Sequence, residues 1–482
     1  MTVRLSRLLD AAGIPHAPLA ADPEVTGVTH DSRDVAPGKV FVAIQGVPLP
    51  ARAPLDGHDF IRQAVAAGAA AVVGSRELTG LAVPYVAHDH PRAALADLSA
   101  AFHGHPARRL TLAGVTGSKG KTTTTVLLHH LLQSAGIACG RVASVGIASR
   151  DREWLLPGHF TTPEAPQLHE ALASFLTDGC THAVLEVSSH ALALERVRGI
   201  GYAVGVWTNL EPEHLDLHGT MEAYAREKAK LLERSAFAVT NATDPLIPRH
   251  QGWSFADGGD WTASDVREGP DGLRFDVRSP LGKFPVFVPM VGAFNVLNAL
   301  AAMAAAARLG VDTDALRGGL ASFKGVPGRM QLVQAQPFRV IVDFAHTEAS
   351  LRAALTTVRA TTAGRVLLVV GAAGERDPSR RTGLARVAAE NADHTYFTEE
   401  DHRGESLDAI LETMAHEARK HRGSHELVPD RGDAIRRAVR AARPGDTVVL
   451  AGKGHERTIE RGSQVLPWDE AAVAREALSA IA

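Results

Sequence analysis

Gly117-Ser118-Lys119-Gly120-Lys121-Thr122-Thr123 carries more chemistry per residue than any other stretch of the chain. It follows a strand-like apolar run, residues 110–115, and opens a helix-like one, residues 122–133. Strand, glycine turn and helix N-terminus aim backbone N–H groups at an anion, as a phosphate cradle does. Lys121 would reach the outer phosphates there, and the Thr122 hydroxyl would hold Mg²⁺. Gly117 and Gly120 are expected at positive φ, where a side chain is strained. Val115 stands where the GxxxxGK[ST] pattern has its first glycine, and Gly114 lies one residue earlier.

Further candidates lie downstream. Glu186 ends a buried-strand pattern, residues 183–187, and at a parallel strand's C-terminal end is a candidate Mg²⁺ ligand. A second apolar run, residues 203–207, leads into Asn209, Glu211, Glu213, His214, Asp216 and His218. The two strand ends are expected side by side, near the cradle. His214 and His218 allow a zinc reading. Mg²⁺ with few protein ligands fits better, because no cysteine or HExxH pattern accompanies them. A helix over residues 221–234 carries Tyr224, Lys228 and Lys230. Thr161 and Thr162, before Pro163-Glu164, either bind a carboxylate or phosphate or cap a helix starting near Glu164. Asp31-Ser32-Arg33 either grips a polar ligand such as a nucleotide or caps a turn. Asn295 and Asn298, three apart on one helix face, either bridge backbone or read an adenine edge.

These groups need α/β scaffolds. At 482 residues the chain is too long for one core, and two to four domains are expected. Residues 1–107 read as a small α/β domain with strands at 39–44 and 70–73, a helix at 60–67 and a Pro-rich loop at 48–54. The polar segment 103–109 reads as a linker. Residues 108–328 form the cradle domain, irregular over 141–166 and β-like over 254–288, closing at a turn-rich join, residues 325–330. Residues 329–482 alternate strands (339–344, 365–370, 394–397, 447–451) with helices, which predicts a doubly wound, mostly parallel sheet. Its functional loops fall at strand C-terminal ends: 343–347, 371–377, 398–405 and 452–456. The 51 basic and 54 acidic residues nearly cancel, so no basic field for nucleic acid or a membrane surface exists. Cys139 and Cys180 read as buried free thiols of a reducing cytosol. The N-terminal residues lack a signal-peptide layout, and no apolar run reaches about 20 residues, so a cytoplasmic protein without a membrane span is expected.

In order, the motifs are DSR…PGKVFVA, GSKGKTTT, TTPE, EVSSHAL, EHLDLHGT…Y…K, GAFNVLN, GVPGRM, DFAHT, GERD and GKGHE. Together they resemble the Mur ligases, ATP-dependent amide-bond formers of peptidoglycan precursor synthesis, over nearly the whole chain. The likeness is greatest to the MurE branch, which adds a diamino residue to UDP-N-acetylmuramoyl-L-alanyl-D-glutamate. It implies a UDP-binding first domain, a central P-loop ATPase domain with a parallel sheet, and a Rossmann-like C-terminal domain for the amino acid. By this resemblance Ser32 lies near the nucleotide, and Thr161, Thr162, Ser188 and Arg196 hold the muramoyl dipeptide. Gly117, Ser118, Lys119, Gly120, Lys121, Thr122 and Thr123 hold ATP phosphates, with Glu186 on Mg²⁺. Asn295, Arg329 and Asp343 hold adenine, phosphate and ribose. His214 helps hold a second Mg²⁺, and Lys228 matches the family lysine that becomes carbamylated by CO₂. Arg376, Glu400, Asp401, His402, Arg403, Gly452 and Glu456 fall at the amino-acid acceptor. The implied mechanism is phosphoryl transfer to the D-glutamate γ-carboxylate, then attack of the amine on the acylphosphate, in a monomer. Segments around residues 120, 186–228 and 343–456 would then share one cleft.

The chain departs from the family pattern at Lys119, Glu213, Glu227, Glu348 and Ala349. The largest departure is at the acceptor, where relatives using meso-diaminopimelate resemble Asp-Asn-Pro-Arg and this chain has Glu400-Asp401-His402-Arg403. The acidic run Glu399–Asp401 suits a distal ammonium, which favours L-lysine or L-ornithine; a solvated face is the bland alternative. Competing functions are a sister ligase (MurF, folylpolyglutamate or cyanophycin synthetase) and a nucleotide-binding relative without chemistry. The SSHAL and HGT…Y…K stretches argue against the former, and Glu186, His214 and Lys228 together against the latter.

Overall fold

The computed structural model describes residues 2–481 except 20, 47–54, 151, 156–159, 249 and 270. The Pro-rich segment 48–54 lies outside the described residues. The chain divides into two compact units, Met1–Trp261 with Leu300–Asp312, and Thr262–Ala299 with Thr313–Ala482.

In the first unit, strands Thr111–Thr116, Cys139–Ala143, His182–Glu186 and Val204–Trp207 are buried along almost their whole length. Apolar runs of this kind bury both faces, so they pair in parallel under covering helices. The eight-stranded sheet runs Glu153–Trp154, Gly146–Ala148, Cys139–Ala143, His182–Glu186, Thr111–Thr116, Val204–Trp207, Ala238–Asn241, Gly252–Phe255. Two expectations are corrected. The stretch 141–166 is not wholly irregular: it finishes one strand and contributes two short antiparallel ones. The strands ending at Glu186 and Trp207 do not adjoin; they flank the cradle strand on opposite sides. A separate four-stranded parallel sheet holds Gly27–Thr29, Lys39–Val42, Ala71–Gly74 and Tyr85–Ala87. The segment 103–109, expected as a linker, contains a short 3-10 turn, Pro106–Arg108, with Pro106 buried.

Glycines set how closely helices lie on this sheet. A Cβ at Gly114 would stand 2.6 Å from Leu231 Cδ1, and one at Gly205 would stand 2.2 Å from Ser235 Oγ and 3.2 Å from Leu232 Cδ2. Both strands are thus bare where the helix Met221–Glu233 and its C-terminal end press against them.

Two buried histidines give this unit a pH dependence. Burial pushes His129 down to about 3 and His169 down to about 4. Both stay neutral when folded, whereas the unfolded chain takes up protons near pH 6.5. The unfolded state therefore binds more protons below that pH. This contribution is fully present above about pH 6.5 and is lost toward pH 4, by up to about 1.4 kcal/mol per unit for each histidine. Urea melts at pH 7.5, 6 and 5 are expected to show the decline, and His169→Leu should flatten it.

The second unit holds a three-stranded antiparallel sheet, Thr262–Gly269, Gly272–Ser279 and Gly282–Val288. It also holds a six-stranded sheet in the order Gln331–Gln334, Arg339–Asp343, Thr447–Ala451, Val366–Val370, His394–Phe397, His425–Leu427. All its pairings are parallel except that of the edge strand Gln331–Gln334. Apolar side chains are buried on both of its faces.

Candidate active site

The glycine turn is shaped by its neighbours. Gly117 has φ +149° and Gly120 +79°. A Cβ on Gly117 would meet Thr208 Oγ1 at 1.9 Å, so the turn closes only on glycine. Thr208 and Asn209, at the end of the adjoining strand, tie the turn down. Thr208 Oγ1 donates to Lys119 O (2.6 Å), and Asn209 Oδ1 accepts from Lys119 N (2.8 Å). Ser118 Oγ accepts from Glu211 N at 2.9 Å and lies 3.2 Å from the Tyr224 hydroxyl. The helix Lys121–Ser134 then begins at the turn. Lys121 Nζ folds back onto Gly117 O (2.9 Å) and Ser118 O (2.6 Å).

The parallel register pairs Glu186 with Val115, just before the turn. Thr122 Oγ1 donates to Glu186 Oε1 at 2.9 Å. Ser144 N holds the other carboxylate oxygen at 2.7 Å. A hydroxyl and a carboxylate so placed are hard oxygen donors that suit Mg²⁺, which keeps most of its waters. Among the described residues no three His, Cys, Asp or Glu side chains form a ready metal cage. Ser144 was missed in the sequence; it sits in the stretch read as irregular, and nothing local marks it.

Lys228 sits on the helix Met221–Glu233 and is 1% exposed. Its Nζ donates to Gly117 O at 2.7 Å, the oxygen that Lys121 also uses, and lies 4.6 Å from the centre of the Tyr224 ring. Burial, then the charge of Lys121, drive its pKa well below the usual lysine range. The surroundings thus favour the uncharged amine over the ammonium. His214 and His218 gather around His190: the His190–His214 ring centres are 4.6 Å apart and the His190–His218 centres 6.0 Å. His218 Nε2 lies 3.0 Å from Ser189 Oγ.

Thr162 does not cap the following helix. Its hydroxyl donates to Glu186 O at 2.7 Å and accepts from Ser188 N at 3.1 Å, while Ser188 Oγ caps the helix Ser189–Ala193. Arg196 Nη1 donates to Thr162 O at 2.9 Å. Thr162, Ser188 and Arg196 thus form one cluster beneath Glu186, and Thr161 adjoins it in sequence. In the Asp31-Ser32-Arg33 loop, Asp31 takes the backbone N–H and guanidinium of Arg33, which holds its carboxyl down at about 2. Ser32 is half-buried between them.

In the second unit, Asn295 is engaged locally. Its Nδ2 donates to Val291 O and its Oδ1 accepts from Asn298, both at 2.8 Å, which is the backbone-bridging arrangement. Asp343 accepts from Met330 N and Ala345 N; burial raises its pKa. Arg329 stacks over Phe344 at 4.7 Å.

The acceptor run is not a solvated face. Glu399, Glu400 and Asp401 are 2%, 7% and 6% exposed. Two of the three charges are already matched: Glu399 by Arg461 at 2.5 Å, and Asp401 by the buried Lys453 at 2.8 Å. Lys453 also reaches Glu456 at 2.6 Å. Glu400 differs. Its Oε2 is buried with no hydrogen-bond partner among the described residues, and burial pushes its pKa up to about 7. A Cβ at Gly452 would stand 2.8 Å from that oxygen. Arg403 is held by Glu460 and Gly374 O, and His402 Nδ1 lies 3.1 Å from Glu405 O. Arg376 is exposed.

Three family models match successive parts of the chain: "Mur ligase family, catalytic domain" over residues 24–103, "Mur ligase middle domain" over 115–306, and "Mur ligase, glutamate ligase domain" over 328–454. A UDP-N-acetylmuramyl-tripeptide synthetase of Deinococcus radiodurans is 50% identical over 99% of this chain and 100% of its own. The chain belongs to the Mur ligase family. Like other Mur ligases it is an ATP-dependent acid–amino-acid ligase of three-domain architecture, and it is of the tripeptide-synthetase type. A second relative, the UDP-N-acetylmuramoyl-L-alanyl-D-glutamate--2,6-diaminopimelate ligase of Geobacillus kaustophilus, is 39% identical over 95% of each chain. A solved structure of a ligase with that same name superposes with a TM-score of 0.68 at 29% identity, covering 100% of this chain and 99% of the other.

Proposed function

We propose that this Mur ligase joins L-lysine or L-ornithine to the D-glutamate of UDP-N-acetylmuramoyl-L-alanyl-D-glutamate, with ATP cleaved to form an acylphosphate. One observation carries the ligase chemistry: buried Lys228, its amine disfavoured as a cation, shares the Gly117 carbonyl with cradle Lys121. A neutral amine adds to CO₂, forming an N–C bond and releasing one proton, and so exchanges a buried cation for a carboxylate-like anion. Thr122 and Glu186 would hold one Mg²⁺, and His214 with carbamylated Lys228 a second, supplying charge neutralisation at the transferred phosphoryl group. Lys121 leaves its carbonyls to meet the γ-phosphate, stabilising the charge that spreads there. Gly117 to Thr123 bind the phosphates. Thr161, Thr162, Ser188 and Arg196 orient the dipeptide, and Ser32 the uridine nucleotide. Asn295, Arg329 and Asp343 serve adenine, phosphate and ribose; for Asn295 this requires it to exchange its present partners. We assign domains to residues 1–107, 108–328 and 329–482, in a monomeric cytoplasmic enzyme. Among the described residues no helix is long and apolar enough to cross a membrane.

The acceptor preference rests on Glu400, not on the whole acidic run. Glu399 and Asp401 are matched internally, which leaves Glu400 with a buried oxygen unused. An arriving ammonium would satisfy that oxygen and draw its proton off, whereas a distal carboxylate would oppose it. Arg376, His402, Arg403, Gly452 and Glu456 complete the acceptor set in this reading. The test is phosphate release from Mg·ATP with UDP-muramoyl-dipeptide and, in turn, L-lysine, L-ornithine and meso-diaminopimelate. Turnover with L-lysine or L-ornithine at low KM is expected, and Glu400→Gln should raise that KM by about tenfold or more. A clear preference for diaminopimelate refutes the acceptor assignment. No turnover with any of the three, but turnover with UDP-muramoyl-tripeptide, refutes the ligase step.

A further inference from the structure

A cluster in the first unit joins its small sheet domain to the cradle domain, and of its members only Arg196 has a role above. Arg92 is the second residue of the helix Pro91–Phe102. Arg92 Nη2 donates to Gln45 O at 2.8 Å. Its Nη1 is buried without a hydrogen-bond partner among the described residues, 3.8 Å from Glu164 Oε1. That same oxygen receives Arg196 Nη2 at 2.8 Å, and Arg196, 8% exposed, keeps a buried Nε that is also without a partner. His30 Nδ1, one residue before the Asp-Ser-Arg loop, is a third such nitrogen. Burial lowers the pKa of His30, against the pull of Glu164 and Asp31.

The arithmetic of charge is uneven. Two guanidinium groups share one carboxylate, that of Glu164. A buried guanidinium is ordinarily matched in full, as buried charges must be. Arg431 in the second unit is such a case: its Nε and Nη2 meet Glu470 in a bidentate pair, Nη2 also donates to Ala451 O, and Nη1 donates to Glu399 O. Arg92 and Arg196 have one anion between them, so the site holds donors for a second.

We propose that Arg92 joins Arg196 in binding an anionic group of the UDP-muramoyl dipeptide, and that Glu164 is an internal anion occupying both guanidinium groups until that group arrives. The proposal rests on the substrate assigned above. The group is the nucleotide diphosphate or the D-glutamate α-carboxylate; both are oxyanions that fit a guanidinium fork. Glu164 then competes with the substrate, which makes opposite signs the signature of the site. Removing Arg92 removes a donor, and neutralising Glu164 frees two.

The test is calorimetric binding of UDP-N-acetylmuramoyl-L-alanyl-D-glutamate to the full chain without ATP. Wild-type protein that does not bind this ligand refutes the substrate assignment itself. Given binding, Arg92→Met is expected to weaken it at least about 30-fold, with ATP affinity unchanged. Arg92→Lys should recover part of the loss. Glu164→Gln, which keeps both arginines, should tighten binding severalfold. Repeating the series with free UDP and with the α-amidated D-isoglutamine ligand locates the group. An Arg92 effect kept on both probes marks the diphosphate, and one lost on both marks the α-carboxylate. Unchanged affinity in Arg92→Met, or weakened affinity in Glu164→Gln, overturns the proposal. If Arg92→Met does not fold, Arg92→Lys and Glu164→Gln decide it alone.

Discussion

Lys228→Met is expected to lower amino-acid-dependent ATP cleavage by roughly 10²–10³-fold or more, with ATP affinity changed only severalfold. Methionine fills the same space, so the loss reports charge and not a cavity. The side chain sits 1% exposed against Gly117 O, where burial and Lys121 both disfavour an ammonium. A lysine whose ammonium is disfavoured fits the proposed reaction with CO₂. Wild-type enzyme freed of CO₂ should therefore lose activity and regain it on adding bicarbonate. ¹³C-labelled CO₂ should give a carbamate resonance that disappears in Lys228→Met. Activity indifferent to CO₂, with no resonance, would remove the carbamate from the mechanism and leave Lys228 as a tie to the cradle.

Lys121→Met should cost a comparable factor, roughly 10²–10³ in kcat, by removing the cation proposed to meet the γ-phosphate. It has a second effect. Lys121 is one of the two causes that hold down the Lys228 pKa. Removing its charge raises the fraction of Lys228 that stays ammonium and lowers the fraction open to CO₂. The carbamate signal should shrink in Lys121→Met and return as pH is raised. The double variant should lose less than the product of the two single losses, because the sites are coupled through one carbonyl oxygen. Full multiplicativity would show that the two lysines act independently.

The cradle was legible because its demands are local: two glycines at positive φ, a lysine and a hydroxyl within seven residues of strand and helix. Glu186 was legible through the strand it ends. The strand order was not. Glu186 and Trp207 end successive parallel strands in the sequence, yet the cradle strand runs between them, and local pattern carries no information on crossovers. For Thr162, before Pro163 and Glu164, an anion site and a helix cap were equally open; the structure sends its hydroxyl to Glu186 O, a contact 24 residues away. The Glu399–Asp401 run illustrates the same limit for charge. Its acidity was plain, but the cations that cancel most of it, Lys453 and Arg461, lie more than 50 residues away in the chain.

Gly114 and Gly205 tie the standing of the Lys228 amine to backbone thickness. The helix that carries Lys228 rests on these two bare positions, with Leu231, Leu232 and Ser235 against them. A methyl group at either would act as a shim, raising the helix and drawing the amine off the turn it must touch. Alanine is the usual choice for stiffening a strand, so a screen for heat resistance would be tempted by both sites. Variants chosen that way would come out sturdier or weaker according to how the helix resettles, and in both cases slower at turning over ATP.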